Sequence, residues 1–114
     1  MSGIVLVKAI IDRPIGYRDK FGNVYPINYG YIPELLAGDD EEQDVYIISE
    51  KVNQPLKAFE GKLVAIIHRT DDVEDKWVLT SPNEQISLEI IREKTQFLEQ
   101  YFTSTIELLE GEEL

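Results

Sequence analysis

With 114 residues, the chain is long enough for one packed core and too short for two. A formal charge of -11 excludes binding of nucleic acid or an anionic membrane through a general basic face, because that electrostatic term has the wrong sign; an anion accompanied by metal ions stays admissible. The absence of cysteine excludes a disulfide framework and thiolate chemistry, and fits a reducing, cytoplasmic setting.

The apolar start, Met1 to Val7, is interrupted by Lys8 and Asp12, so it is too short for a signal core or a membrane span and reads as the beginning of a soluble chain. Ile4 to Ile11 is rich in aliphatic and β-branched residues and forms a first strand, ended by Asp12-Arg13-Pro14, where proline withholds a ladder donor. Phe21-Gly22-Asn23-Val24 predicts a tight turn between two extended stretches. Tyr25 to Pro33 packs three tyrosines and an asparagine between prolines and reads as a turn-rich aromatic segment. Val45 to Ile48, Leu63 to Ile67 and Trp77 to Leu79 are short apolar runs bounded by Pro, Gly or charge, as half-buried strands are.

A helix is expected after residue 80. Ser81-Pro82-Asn83-Glu84 has the form of a capping box with proline at the first helical position, and Ser87 offers a second start. Ile90, Ile91, Phe97, Leu98 and Tyr101 fall on one stripe, with Arg92, Glu93, Gln96 and Glu99 facing away. Thr105 to Leu109 adds an edge strand or extends the helix, and the last residues fray. Five or six short strands followed by one amphipathic C-terminal helix make the fold class mainly β (α+β), a small barrel or strongly curled sheet with the helix across one opening, in a single domain over residues 1–114.

Two acidic clusters, Asp39-Asp40-Glu41-Glu42-Gln43-Asp44 and Asp71-Asp72-Val73-Glu74-Asp75-Lys76, flank the apolar runs. Brought together at a barrel rim, they would repel one another unless cations intervened, and their hard oxygen donors suit magnesium, manganese or calcium. The plainer reading is two solvated loops. Asp39, Glu41, Gln43 and Glu50 match four ligand positions of an EF-hand, but Asp44 stands where that loop needs glycine, and a strand rather than a helix follows. The single histidine, His68, and Trp77 read as structural, the first at a strand end and the second in the core.

Taken in order, the tyrosine segment, the two acidic clusters and the aromatic end of the helix resemble the soluble family I inorganic pyrophosphatases, from about Ile4 to Phe102. The resemblance implies a small OB-like five-stranded barrel with a C-terminal amphipathic helix, and magnesium-dependent hydrolysis of inorganic pyrophosphate to two phosphates by metal-activated water, with manganese as an alternative ion. Asp39, Asp44, Asp71 and Asp75 then look like metal ligands. Arg18, Tyr25, Tyr29, Lys76 and Tyr101 look like substrate-binding residues, and Glu41 stands near the attacking water as proton acceptor. Asp12 resembles a first-strand acid near the site. The family's oligomeric habit makes a homo-oligomer compatible with the resemblance, with pyrophosphate and phosphate as ligands.

The chain departs from the pattern in four places. Glu41 replaces an aspartate, and its extra methylene shifts the carboxylate by about 1 Å, enough to affect in-line attack. Gln43 replaces an apolar residue, and Phe102 stands where a lysine is expected. No counterpart is found between Asp12 and Arg18 for a strand carrying a phosphate lysine and a carboxylate, Lys20 being a weak substitute. Each lost charged contact costs on the order of 1.5–3 kcal/mol. The alternative is thus a non-catalytic or weakly active relative that binds metal, phosphate or a protein; an OB-type nucleic-acid binder suits the barrel but not the charge.

Overall fold

The computed structural model describes residues 6–37, 40–70 and 74–109. Six strands and a helix follow in chain order: β1 (Leu6–Arg13), β2 (Asn28–Leu36), β3 (Glu42–Ile47), β4 (Ala58–Arg69), β5 (Asp75–Thr80), α1 (Leu88–Glu99) and β6 (Ser104–Leu108). They form one sheet in the order β1-β2-β3-β5-β4-β6, and an additional β1–β4 pairing closes the first five strands into a barrel. Apart from the parallel β3–β5 pair, neighbours run antiparallel.

Closure depends on the length of β4, whose first half pairs with β1 and whose second half pairs with β5 and β6. The strand is tightly packed at Gly61, where a Cβ would meet the carbonyl oxygen of Thr80, and its register shifts between Leu63 and Ala65. Gly30 plays the same part on β2: a Cβ there would run into the Ile10 carbonyl, so only glycine lets β1 come this close. Strand β2 was hidden in the sequence by Pro33, Gly30 and Asn28, residues that ordinarily mark turns. Buried Asn28 is a latch: its carbonyl accepts from Ile15 N and Leu56 N, and its amide donates to Gln54 O.

Alternation along the strands separates two apolar clusters. Ala9, Ile11, Ile32, Val45, Ile47 and Leu79 fill the barrel, with Trp77 packed against them. Tyr29, Tyr46, Val64, Ile67 and Val78 point outward and are covered by Ile91 of α1, with Ile90, Phe97 and Leu98 alongside.

The helix starts at the second of the two predicted points. Ser87 is extended and its side chain accepts from Ile90 N, as an N-cap does. Ser81 to Glu84 instead makes a turn, because the Glu84 carboxylate is taken by the Ser49 hydroxyl at 2.5 Å and Glu50 N at 2.7 Å rather than by a helix start. Two helical faces also differ from the periodicity. Glu99 is buried, and Tyr101 lies beyond the helix end, 63% exposed. The tail resolves as the edge strand β6 on β4.

Candidate functional site

A cavity of about 480 Å³ opens on the outer wall of the barrel, under the C-terminal end of α1. Tyr25, Tyr29, Lys76 and Tyr101 line it, as expected, and so do Arg13 and Arg69, which sequence reasoning had not placed there. Arg13 is brought in by a register shift between Ile11 and Arg13: strict alternation would aim it into the barrel with Ile11, and the bulge re-aims it. Arg69 ends β4 two residues after outward-facing Ile67, so it shares that face.

Lys76, one of the lining residues, is held in an interlocked set of charges. The Lys76 ammonium donates to Asp44 Oδ2 at 2.6 Å, Glu74 Oε2 at 2.8 Å and the Tyr29 hydroxyl at 2.8 Å, which engages all three of its protons. Burial pushes the Asp44 carboxyl up, but hydrogen bonds from Glu74 and Lys76 and the ammonium charge outweigh it and hold the group below its ordinary value. Glu74 moves the other way, raised by burial and by its hydrogen bond to Asp44. The two acids thus share one cation, the Lys76 ammonium. Tyr29 is pushed well up by burial and then by the Asp44 charge, and Tyr25 is raised by burial, so both remain neutral phenols.

Arg69 forms a buried fork with Glu99, Nη2 to Oε2 at 2.7 Å and Nε to Oε1 at 3.2 Å, and Glu99 Oε2 also accepts from the Tyr46 hydroxyl at 2.6 Å. The Phe102 ring lies 3.7 Å from the guanidinium carbon. Arg13 is held differently: its Nη1 donates to the Tyr25 hydroxyl at 2.6 Å, and its guanidinium sits 5.6–5.7 Å from the rings of Tyr17, Tyr25 and Tyr29. Burial lowers the Arg13 pKa, but the hydrogen bond to Tyr25 and the contacts with Tyr25, Tyr29 and Tyr17 together outweigh it. Among the described residues, no carboxylate lies within ion-pair distance of Arg13, whereas Lys76 and Arg69 are both neutralised.

Other expected residues lie elsewhere. Asp39 and Asp71 are outside the described residues. Asp75 points away from the cavity because successive β5 residues face opposite sides: its carboxylate contacts His68 Nδ1 at 3.1 Å, and the acid beside Lys76 is Glu74, two residues back. The i, i+2 spacing of Glu74 and Lys76 was the available signal. Arg18 is exposed and paired with Val24 in the small hairpin, outside the cavity that Arg13 enters. Glu41 is exposed on the loop before β3 and is not among the cavity's lining residues. Asp12, raised by burial, lies close enough to Asp44 to feel its charge.

The family model described as "Pyrophosphatase: Inorganic pyrophosphatase" matches residues 14–108. Inorganic pyrophosphatase 2 of Pseudomonas syringae pv. tomato is 31% identical over 87 residues, 71% of this chain and 48% of that protein. The enzyme of Xanthomonas campestris pv. campestris is 29% identical over 86 residues, 75% of this chain and 44% of that one. The chain thus matches less than half the length of these two relatives. The crystal structure of inorganic pyrophosphatase from Ehrlichia chaffeensis superposes with a TM-score of 0.69 at 16% identity, covering 94% of this chain and 88% of that chain, and that from Coxiella burnetii gives 0.61 at 18%, covering 96% and 86%. At such identities the likeness concerns the fold, and it agrees with the closed five-strand barrel and its helix. With the family model spanning most of the chain and the barrel common to both solved structures, this chain belongs to the inorganic pyrophosphatase family.

Proposed function

We propose that the chain hydrolyses inorganic pyrophosphate to two phosphates with the help of a divalent ion, magnesium first and manganese second. The observation that carries this reading is the adjacency of two seats of opposite sign. Asp44 and Glu74 already hold one cation, the Lys76 ammonium, and Lys76 lines one cavity with Arg13 and Arg69. Two oxygen-donor carboxylates fit a hard divalent ion. They are a partial set: among the described residues no three His, Cys, Asp or Glu side chains are grouped to hold a metal, and Asp39 and Asp71 are proposed to complete it. When bound, such an ion neutralises phosphate charge and lowers the pKa of a water.

The chain's own groups would then bind and orient the anion. Arg13 offers planar donors free of any carboxylate among the described residues, suited to forked contact with a phosphate. Arg69 supplies from β4 a cation next to Phe102, where the resemblance called for lysine. Lys76 has every proton engaged, so phosphate must compete with Asp44, Glu74 or Tyr29 for one of them. Tyr25 and Tyr29, kept neutral, line the wall as hydroxyl donors. Glu41, three residues ahead of Asp44, is proposed as the proton acceptor.

A second reading, a metal- and phosphate-binding relative with little turnover, is favoured by the exposed position of Glu41 outside the cavity lining. Phosphate released from pyrophosphate and magnesium separates the two. Turnover lost on Glu41→Gln with pyrophosphate binding intact supports the enzyme; binding without turnover in the unaltered protein supports the second reading.

A further inference from the structure

The mouth of the cavity carries more aromatic surface than two phosphates can use. Phe21, at the tip of the hairpin that follows β1, is 78% exposed; Tyr101 and Phe102, just past α1, are 63% and 36% exposed. All three line the cavity. Scattered exposed aromatics are unremarkable, but three at one opening are a patch. Tyr101 and Phe102 have identified neighbours: the Tyr101 hydroxyl makes a long 3.5 Å contact with Asn23 Oδ1, and Phe102 covers the Arg69 guanidinium. Phe21, by contrast, makes no ring–ring contact among the described residues, and the Lys20 ammonium stands 5.4 Å from its centroid.

Cations and hydroxyls at the base of a cavity and aromatic faces at its mouth match a ligand that is anionic at one end and flat and apolar at the other. The volume of about 480 Å³ is that of a drug-sized site, for which about 300–1,000 Å³ is usual. The formal charge of -11 disfavours a polyanion such as a nucleic-acid strand, so a single base carrying a short phosphate chain remains.

Resting on the proposed diphosphate site, we infer that the cavity also takes nucleoside 5′-diphosphates, the terminal diphosphate on Arg13, Arg69 and Lys76 and the base against Phe21 and Tyr101. The diphosphate end is pyrophosphate with one oxygen esterified, so both ligands would use the same base of the cavity, and only the nucleotide reaches its mouth. Nucleotide and pyrophosphate would therefore compete.

Direct titration calorimetry in magnesium with two probes, ADP and methylenediphosphonate, tests this on the unaltered chain and on Phe21→Ala, an exposed change that leaves both cores intact. Phe21→Ala should weaken ADP about tenfold, within the range of a lost base-stacking contact. It should leave methylenediphosphonate within twofold, and Phe21→Tyr should restore ADP binding. Binding of methylenediphosphonate without ADP, or equal effects of Phe21→Ala on both probes, would overturn the inference while sparing the diphosphate site. Failure of both probes on the unaltered chain would overturn the diphosphate site and this inference with it.

Discussion

Glu99 shows how much a single buried acid can organise. Its carboxylate receives the Arg69 fork and the Tyr46 hydroxyl, so it fixes the one arginine of the cavity that comes from β4. Replacing Glu99 by alanine leaves a buried guanidinium unpaired, which costs about 3–5 kcal/mol. Urea denaturation should show that loss for Glu99→Ala, and much less of it for Arg69→Met with Glu99→Leu, in which no charge is stranded. His68 makes a second, more exposed bridge, with Glu107 on its Nε2 at 2.8 Å and Asp75 on its Nδ1 at 3.1 Å. The hydrogen bond to Glu107 raises its pKa above the ordinary 6.5; desolvation opposes it, and the charge and hydrogen bond of Asp75 add to the rise. A raised histidine stabilises the fold fully below its unfolded value and loses that contribution as pH rises through the folded value. The melting temperature of the unaltered chain should exceed that of His68→Gln at about pH 5.5 and converge with it by about pH 9; an offset independent of pH would contradict the bridge.

At the scale of elements, the interchange of Ser81 and Ser87 is instructive. Both sequences offer a cap, and the one that wins is the one whose following carboxylate is not already committed: Glu84 is held across the molecule by Ser49 and Glu50. Ser87→Ala should cost about 1 kcal/mol by thermal or urea unfolding, the usual loss for an N-cap. Gly30→Ala should be far worse, since its Cβ meets the Ile10 backbone rather than a movable side chain, and should yield no folded protein by circular dichroism. The runs around Val45, Leu63 and Trp77 were legible because they are short, continuously apolar and bounded by Pro, Gly or charge. Strand β2 was not, because its turn-forming residues serve barrel closure and the Asn28 latch instead. The cavity was legible in the same uneven way. Tyr25, Tyr29, Lys76 and Tyr101 were singled out by the family resemblance and line the cavity, but Arg13 needed a bulge and Arg69 and Glu99 a contact 30 residues apart, neither of which periodicity can report.

For the whole molecule, the barrel matters because it places the ends of β1, β2, β4 and β5 beside one helix terminus, so that groups far apart in sequence share one cavity. The chain's acidity and the proposed anionic ligand are compatible if cations accompany the ligand. Titrating magnesium or manganese should therefore raise the melting temperature in proportion to occupancy, and Asp44→Asn should abolish the shift; equal shifts in both proteins would point to ions bound elsewhere. The most direct measurement is phosphate released from pyrophosphate by the purified chain in magnesium, with Asp44→Asn alongside. Two phosphates should appear per pyrophosphate consumed, dependent on the ion and lost with Asp44→Asn. No release at any magnesium or manganese concentration, or release that Asp44→Asn leaves unchanged, would contradict a catalytic site built on Asp44.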